Sequence, residues 1–320
     1  MLEKYLHAFA NIRTDKGRDR YPEATFHRAP HKPILLLSVM DLIAQGRIKE
    51  NFIEPSLDLV ETFNSYYSSF MPPGSITSMA YPFSRLKTDG FWERLSKPGY
   101  DPEIEYNIKS MNRLREMYLG ARMDDELFAY LCNPETREQL RAVLIDTYFA
   151  TEIRPIVLRQ GKVNYEAYEY SKTLLELRPD VLRTKEDEDA FQKNVRDQGF
   201  RRVIVSLYGH RCATCGIRIL TPDGLTIVEA AHIIPWNETH DDRPTNGLSL
   251  CRLCHWSFDV GLLSVGNLYE VLVSKRVRLE QNLPGHILTL EGRNIFKPGQ
   301  ERYWPAQDNL ASHRRKAFLK

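Results

Sequence analysis

His232, Asn246, His255 and Asp259 follow one another over 28 residues near the end of a 320-residue chain. His232 lies in the apolar run "VEAAHIIPW", where the bland alternative is a hydrogen-bonded core histidine. His255 and Asp259 stand at i and i+4 of a predicted helix, so their side chains share one face. A strand-borne imidazole facing such a helix suits phosphodiester hydrolysis. The imidazole would take a proton from water, and a divalent ion held from the helix would neutralise the leaving oxygen.

Two cysteine pairs bracket this histidine, Cys212 with Cys215 in "CATCG" and Cys251 with Cys254 in "CRLC". Each pair has two residues between its thiols, the spacing at which both can ligate one tetrahedral ion. The 35 residues between Cys215 and Cys251 are easily spanned by a hairpin and loop. A closed four-cysteine zinc site is the structural reading; coincidental pairs, one of them a redox motif, are the alternative. Structural zinc contributes on the order of 10–16 kcal/mol in small peptides, enough to fix a module around one geometry. Cys132, in "YLCNPE", has no partner in sequence and is expected to be a small buried residue.

These residues need elements to position them. "FQKNVRDQGFRRVIVSLYG" predicts an amphipathic helix leading into Cys212, "LTIVEAAHII" a strand, Trp236 to Gly247 a loop, and "LCRLCHWSFDVGLL" a helix. Upstream, "HKPILLLSVMDLIAQGR" predicts a helix with Pro33 in its first turn and Gly46 at its end. "SLDLVETFNSYYSSF", stopped by Met71-Pro72-Pro73-Gly74, and "EQLRAVLIDTYF" predict two more. From Thr151 to Asp189 the pattern weakens. The expected division is therefore a domain over 1–155, a linker over 156–189 and a second domain over 190–320.

Composition is ordinary for a globular protein, with 42% hydrophobic and 27% charged residues. No apolar run approaches a membrane span and "MLEKYLHAFA" is too polar for a signal peptide, so a cytoplasmic protein is expected. Net charge is only +2, so nucleic-acid affinity would have to come from local clusters such as "HRAPHKP" and "SHRRKAFLK".

Residues 212 to 265 resemble the HNH nucleases, whose fold is a ββα-metal finger, in the branch of McrA-like restriction endonucleases that also carries a four-cysteine zinc. The resemblance implies His232 as general base, Asn246 as the residue that orients it or pins the loop, and His255 as a metal ligand. Asp259 falls where colicin-type nucleases place a further metal-binding histidine. Many HNH nucleases carry Asp or His just before the base; here that position is Ala231. Glu229, on the same side of a strand as Ala231, is a candidate replacement, and a partly exposed strand carboxylate is its alternative. Arg201, Arg202, His313, Arg314 and Arg315 in the flanks would meet phosphates, or are solvated surface.

"HKPILLLSVMDLI" followed by "YPFSRLKTDGFWE" resembles the sulfur-binding domain fused to HNH nucleases that restrict phosphorothioate-modified DNA, over roughly residues 20 to 150. The resemblance implies that Tyr81 and Pro82 help form an apolar cage for sulfur, completed by a small residue just beyond. Ser84 fits that role by size; Arg85 stands one position further and does not. Arg28, His31 and Lys32 are the implied phosphate clasp.

The expected fold is α+β, a mainly helical DNA-reading domain followed by a ββα-metal nuclease domain with a four-cysteine zinc. The expected activity is restriction of modified double-stranded DNA, with structural Zn2+ and a catalytic Mg2+, Mn2+ or other divalent ion. A homodimer is a candidate assembly. The alternatives are a nuclease directed to another mark, sequence or protein, and a non-cleaving zinc-stabilised DNA-binding protein.

Overall fold

Local signals fix the helices of the N-terminal half. In the computed structural model, which describes residues 1–101, 108–176, 190–279 and 281–319, the chain forms two units. One comprises Met1–Glu166 with Pro222–Gly224, the other Ala167–Thr221 with Leu225–Lys320.

The first unit contains α1 (Leu2–Ala10), α2 (His31–Ala44), α3 (Leu57–Phe70), α4 (Ala80–Arg85), β1 (Trp92–Ser96), α5 (Met111–Met117), β2 (Tyr118–Met123), α6 (Asp125–Cys132) and α7 (Pro134–Tyr148). Ser56 caps α3, its hydroxyl accepting from Leu59 N at 3.3 Å. Asn133 caps α7 twice, with Pro134 in the first turn. Helix α2 is buried on every side from Lys32 to Ile43 and forms the centre of the core. It ends where Gly46 takes φ +68°, with Arg47 N reaching back to Leu42 O at 2.9 Å. Arg141 of α7 pairs with the buried Asp41 of α2 at 2.9 Å. Asn164 and Tyr66 complete the network at 3.0 and 3.1 Å. Burial raises the Asp41 carboxyl and Arg141 opposes that rise. β1 and β2 form an antiparallel ribbon, Trp92 opposite Met123.

Cys132 is exposed, contrary to expectation. Helix α6 buries Leu127 and Leu131, one turn apart, which rotates the next position outward. Helix α8 (Arg154–Leu175) occupies the first part of the stretch expected to be a linker. Its apolar positions are interleaved with charges and tyrosines, which dilutes the periodic signal. The charge run "TKEDEDA" lies outside the described residues, apart from Ala190.

The second unit contains α9 (Ala190–Leu207), β3 (Val228–His232), α10 (Trp236–Thr239), β4 (Gly247–Cys251), α11 (Arg252–Asp259), β5 (Leu263–Val265), β6 (Val271–Val273) and α12 (Gln307–Lys316). β3 and β4 pair antiparallel, from Val228 opposite Cys251 to His232 opposite Gly247, and α11 follows at once: a ββα unit. α9 lies so close over this hairpin that a Cβ at Gly247 would come within 2.2 Å of Ile204. Trp236 to Gly247, expected to be a loop, contains the single-turn α10 and a 3-10 turn at Pro244–Asn246. No described helix is long and apolar enough to cross a membrane.

Candidate active site

The four cysteines converge. Cys212 and Cys215 sit on the knuckle before the hairpin, Cys251 ends β4 and Cys254 lies on α11, with all four Sγ atoms within 4.8 Å of one another. Cys215 and Cys251 Sγ are 3.8 Å apart. Metal–sulfur bonds of about 2.3 Å in a tetrahedron place sulfurs about 3.8 Å apart, so the set fits one closed four-coordinate ion. The knuckle is tied to β4 by Ala213 N donating to Ser249 O at 2.7 Å. Its glycine is required: Gly216 has φ +76°, and a Cβ there would meet Phe296 at 2.5 Å.

His232 stands at the end of β3 with a partly exposed ring. The ring stacks on Phe200 of α9, centroids 3.9 Å apart and planes 7° from parallel. Nε2 is 2.7 Å from Oδ1 of Asp242, whose side chain is 1% exposed. A carboxylate can only accept, so Nε2 carries the hydrogen and Nδ1 keeps its lone pair.

Asn246 is fully buried, and its amide holds backbone. Oδ1 accepts from Ile234 N at 2.9 Å, and Nδ2 donates to Ile234 O at 3.1 Å and Asp241 O at 2.9 Å. It therefore pins the segment between β3 and β4 and presents no atom to a substrate. Of the two roles the resemblance implied for Asn246, orienting the base or pinning the loop, these bonds match the second.

On α11, His255 touches two carboxylates through different nitrogens. Nδ1 is 3.2 Å from Glu229 Oε2, and Nε2 is 3.5 Å from Asp259 Oδ2. Two donors bound at right angles to one small divalent ion are about 3.0 Å apart, so either pair fits. One imidazole nitrogen binds one ion, so the two carboxylates do not share it. Among the described residues, the four cysteines are the only group of three or more such ligands that converges. Burial raises the Asp259 carboxyl, opposed by His255. If Glu229 is the ligand, Glu229→Ala should raise the divalent-ion concentration for half-maximal cleavage at least about tenfold. Asp259→Ala should then shift it little. A metal titration of both variants decides, and the reverse pattern assigns the ion to Asp259.

The basic residues separate into free and engaged. Arg201 is exposed and lines an open groove of about 780 Å³ with Arg252, Glu229 and His286. Arg202 is partly buried, its guanidinium over the Tyr168 ring at 5.6 Å. His313 is a core residue: it stacks on Phe258 at 3.7 Å, and both ring nitrogens are engaged, with Ser264 Oγ and Phe258 O. It has no nitrogen left for a phosphate. Arg314 is held by Val265 O and Asn267.

In the first unit, Lys32 is buried against Asp89 at 2.6 Å, burial lowering its pKa while Asp89 opposes the fall. It is a structural ion pair and not an open clasp. His31 packs on Tyr67 at 5.4 Å, and burial lowers its pKa. Arg28 is partly exposed. Tyr81 is 50% exposed at the start of α4, whereas Pro82 and Ser84 are buried. The Ser84 hydroxyl donates to Tyr81 O at 3.0 Å, so it does not complete a cage beside the exposed ring. Arg85, one turn on, lies over the Tyr81 ring at 5.4 Å. Sequence reasoning passed over Asp242, Phe200 and Arg196. The only signal for the last two was their spacing on one face of α9.

The ββα hairpin, the knuckle and the placement of His232 define an HNH nuclease domain, and the family model described as HNH endonuclease matches residues 212–266. The model described as ScoMcrA-like, DNA sulfur-binding domain matches residues 4–163, half of the chain, and the chain belongs to that family. A solved structure titled "Modification dependent TagI restriction endonuclease" is 23% identical, with a TM-score of 0.28. That match covers 37% of this chain and 36% of the other, so the chain spans about a third of that protein. No curated protein matches.

Proposed function

We propose that the protein is a metal-dependent endonuclease of a restriction system that cleaves phosphorothioate-modified double-stranded DNA. The observation that carries this reading is the pairing of an HNH domain with a sulfur-binding domain in one chain. His232 Nδ1 takes the proton of the attacking water, on the side of the ring opposite Asp242. Asn246 keeps the segment after β3 in place. Glu229 or Asp259, with His255, holds a divalent ion such as Mg2+ or Mn2+. When bound, such an ion neutralises charge on the phosphate and on the leaving oxygen. Zn2+ is the ion assigned to the four cysteines. The protein acts in the cytoplasm, where thiols stay reduced.

Sulfur in place of a non-bridging oxygen is larger, more polarisable and less strongly hydrated. The half-exposed Tyr81 ring offers it an apolar contact that a phosphate oxygen would have to desolvate to reach. Leaving such an oxygen poorly satisfied costs on the order of 1–3 kcal/mol, about five- to hundredfold in affinity. Arg28 and Arg85 supply charge that does not distinguish the two atoms. The test is binding of one duplex with and without a single stereodefined phosphorothioate. The wild type should prefer the modified duplex, and Tyr81→Ala should erase the preference. Equal wild-type affinities would remove sulfur from the account and leave a nuclease directed to another mark.

A further inference from the structure

We propose that Asp242 is the positioning residue of the nuclease site, setting the tautomer and plane of His232, and that Tyr170 and Arg196 in turn fix Asp242. The proposal rests on the reading of His232 as the base.

Asp242 is 1% exposed and accepts from three donors. Oδ1 takes His232 Nε2 at 2.7 Å and lies 3.5 Å from Arg196 Nη1, while Oδ2 takes the Tyr170 hydroxyl at 2.7 Å. Arg196 and Tyr170 already satisfy a buried carboxylate. The additional short contact goes to a ring that is 19% exposed, and by holding the hydrogen on Nε2 it leaves Nδ1 with its lone pair. In-plane bonding to Asp242 and face stacking on Phe200 together leave the imidazole no free rotation. When Nδ1 gains a proton, the imidazolium forms beside a carboxylate that bears its charge from the start.

Helix α9 supplies the frame from one face. Arg196 reaches Asp242, Phe200 stacks on the base, and Gly199 between them admits α8. A Cβ at Gly199 would lie 2.8 Å from Tyr170 Cδ1 and 3.0 Å from Ala167 O, so glycine is what lets Tyr170 approach Asp242. Among the described residues, the charged and titratable groups in contact with the pair include Arg196, its partner Asp197 at 2.7 Å, and Tyr170. An amide at position 242 could instead donate to Nε2, moving the hydrogen to Nδ1 and removing the base.

The test uses the full chain under single turnover, with Mn2+ and a phosphorothioate duplex, across a pH series. Asp242→Asn should lower the rate about 10²–10⁴-fold, as loss of the carboxylate does in other base-orienting arrangements. Activity that remains should have an altered pH profile, because the carboxylate beside the ring is gone. Tyr170→Phe should cost about two- to tenfold. In wild-type protein above the imidazole pKa, ¹⁵N spectra should show His232 protonated on Nε2 and bare on Nδ1. A wild-type Nδ1–H tautomer overturns the proposal. So does Asp242→Asn protein with native metal content and an unchanged rate and pH profile. If Asp242→Asn does not fold, the wild-type tautomer and the Tyr170→Phe rate decide. Wild-type protein that cleaves no duplex overturns the nuclease reading instead, and the tautomer still decides the role of Asp242.

Discussion

Replacing His232 by alanine is expected to slow phosphodiester cleavage by about 10²–10⁴-fold while leaving DNA affinity and cysteine-bound metal near wild type. On the proposed mechanism the loss is large because the Nδ1 lone pair is the acceptor for the water proton. The fold should tolerate the change, because Asp242 keeps Arg196 and Tyr170 as partners and is not left as an unpaired buried charge. One lost hydrogen bond to a charged group and an uncovered Phe200 face cost about 1–3 kcal/mol, within the stability of an ordinary domain. Single-turnover cleavage, fluorescence anisotropy with the same duplex, and elemental analysis separate the three quantities. Retention of more than a tenth of the wild-type rate would move the base elsewhere. His240, whose ring lies 4.4 Å from that of Trp236, would be the next candidate.

What was legible in the sequence was what neighbours in the chain decide. The Met71-Pro72-Pro73 stop is a contact within a few residues and the structure keeps it, whereas α7 starts at Pro134, one turn ahead of the expected "EQLRAVLIDTYF". The two cysteine pairs were legible because metal-ligand spacing is itself local. β4 was not: all five residues of "GLSLC" are buried, so it shows no alternation and blends into the helix that follows. Asp242 was not legible either, because "ETHDDRPTN" has the composition of a solvated loop. Its burial depends on Tyr170 and Arg196, 72 and 46 residues away in sequence. The same physics misplaced Lys32 and His313 on the surface. Asp89 lies 57 residues from one and Ser264 49 from the other, and a basic residue looks solvated until such a partner is located.

Substituting Cys212 by serine should release the bound metal and unfold the C-terminal unit, leaving the N-terminal unit folded. Cys212 and Cys254 are fully buried, and with Cys251 they pack into the same core as Val228, Leu250 and Phe258. A metal bound by the four thiols would therefore hold the knuckle, the end of β4 and the start of α11 at one point. Structural zinc at about 10–16 kcal/mol rivals or exceeds the whole net stability of a typical domain, about 5–15 kcal/mol, so losing one of four ligands is enough. The first unit has its own core around α2 and contains none of the four ligands. Elemental analysis should find one zinc per wild-type chain and little in Cys212→Ser. Calorimetry of the variant should retain one cooperative transition while losing another that a strong chelator also removes from wild type. Cys132→Ser, at an exposed position outside the cluster, should change neither quantity. Wild-type protein that is fully folded and free of zinc would overturn the assignment. A Cys212→Ser chain with both transitions intact would mean that the hairpin and helix hold the site without the metal.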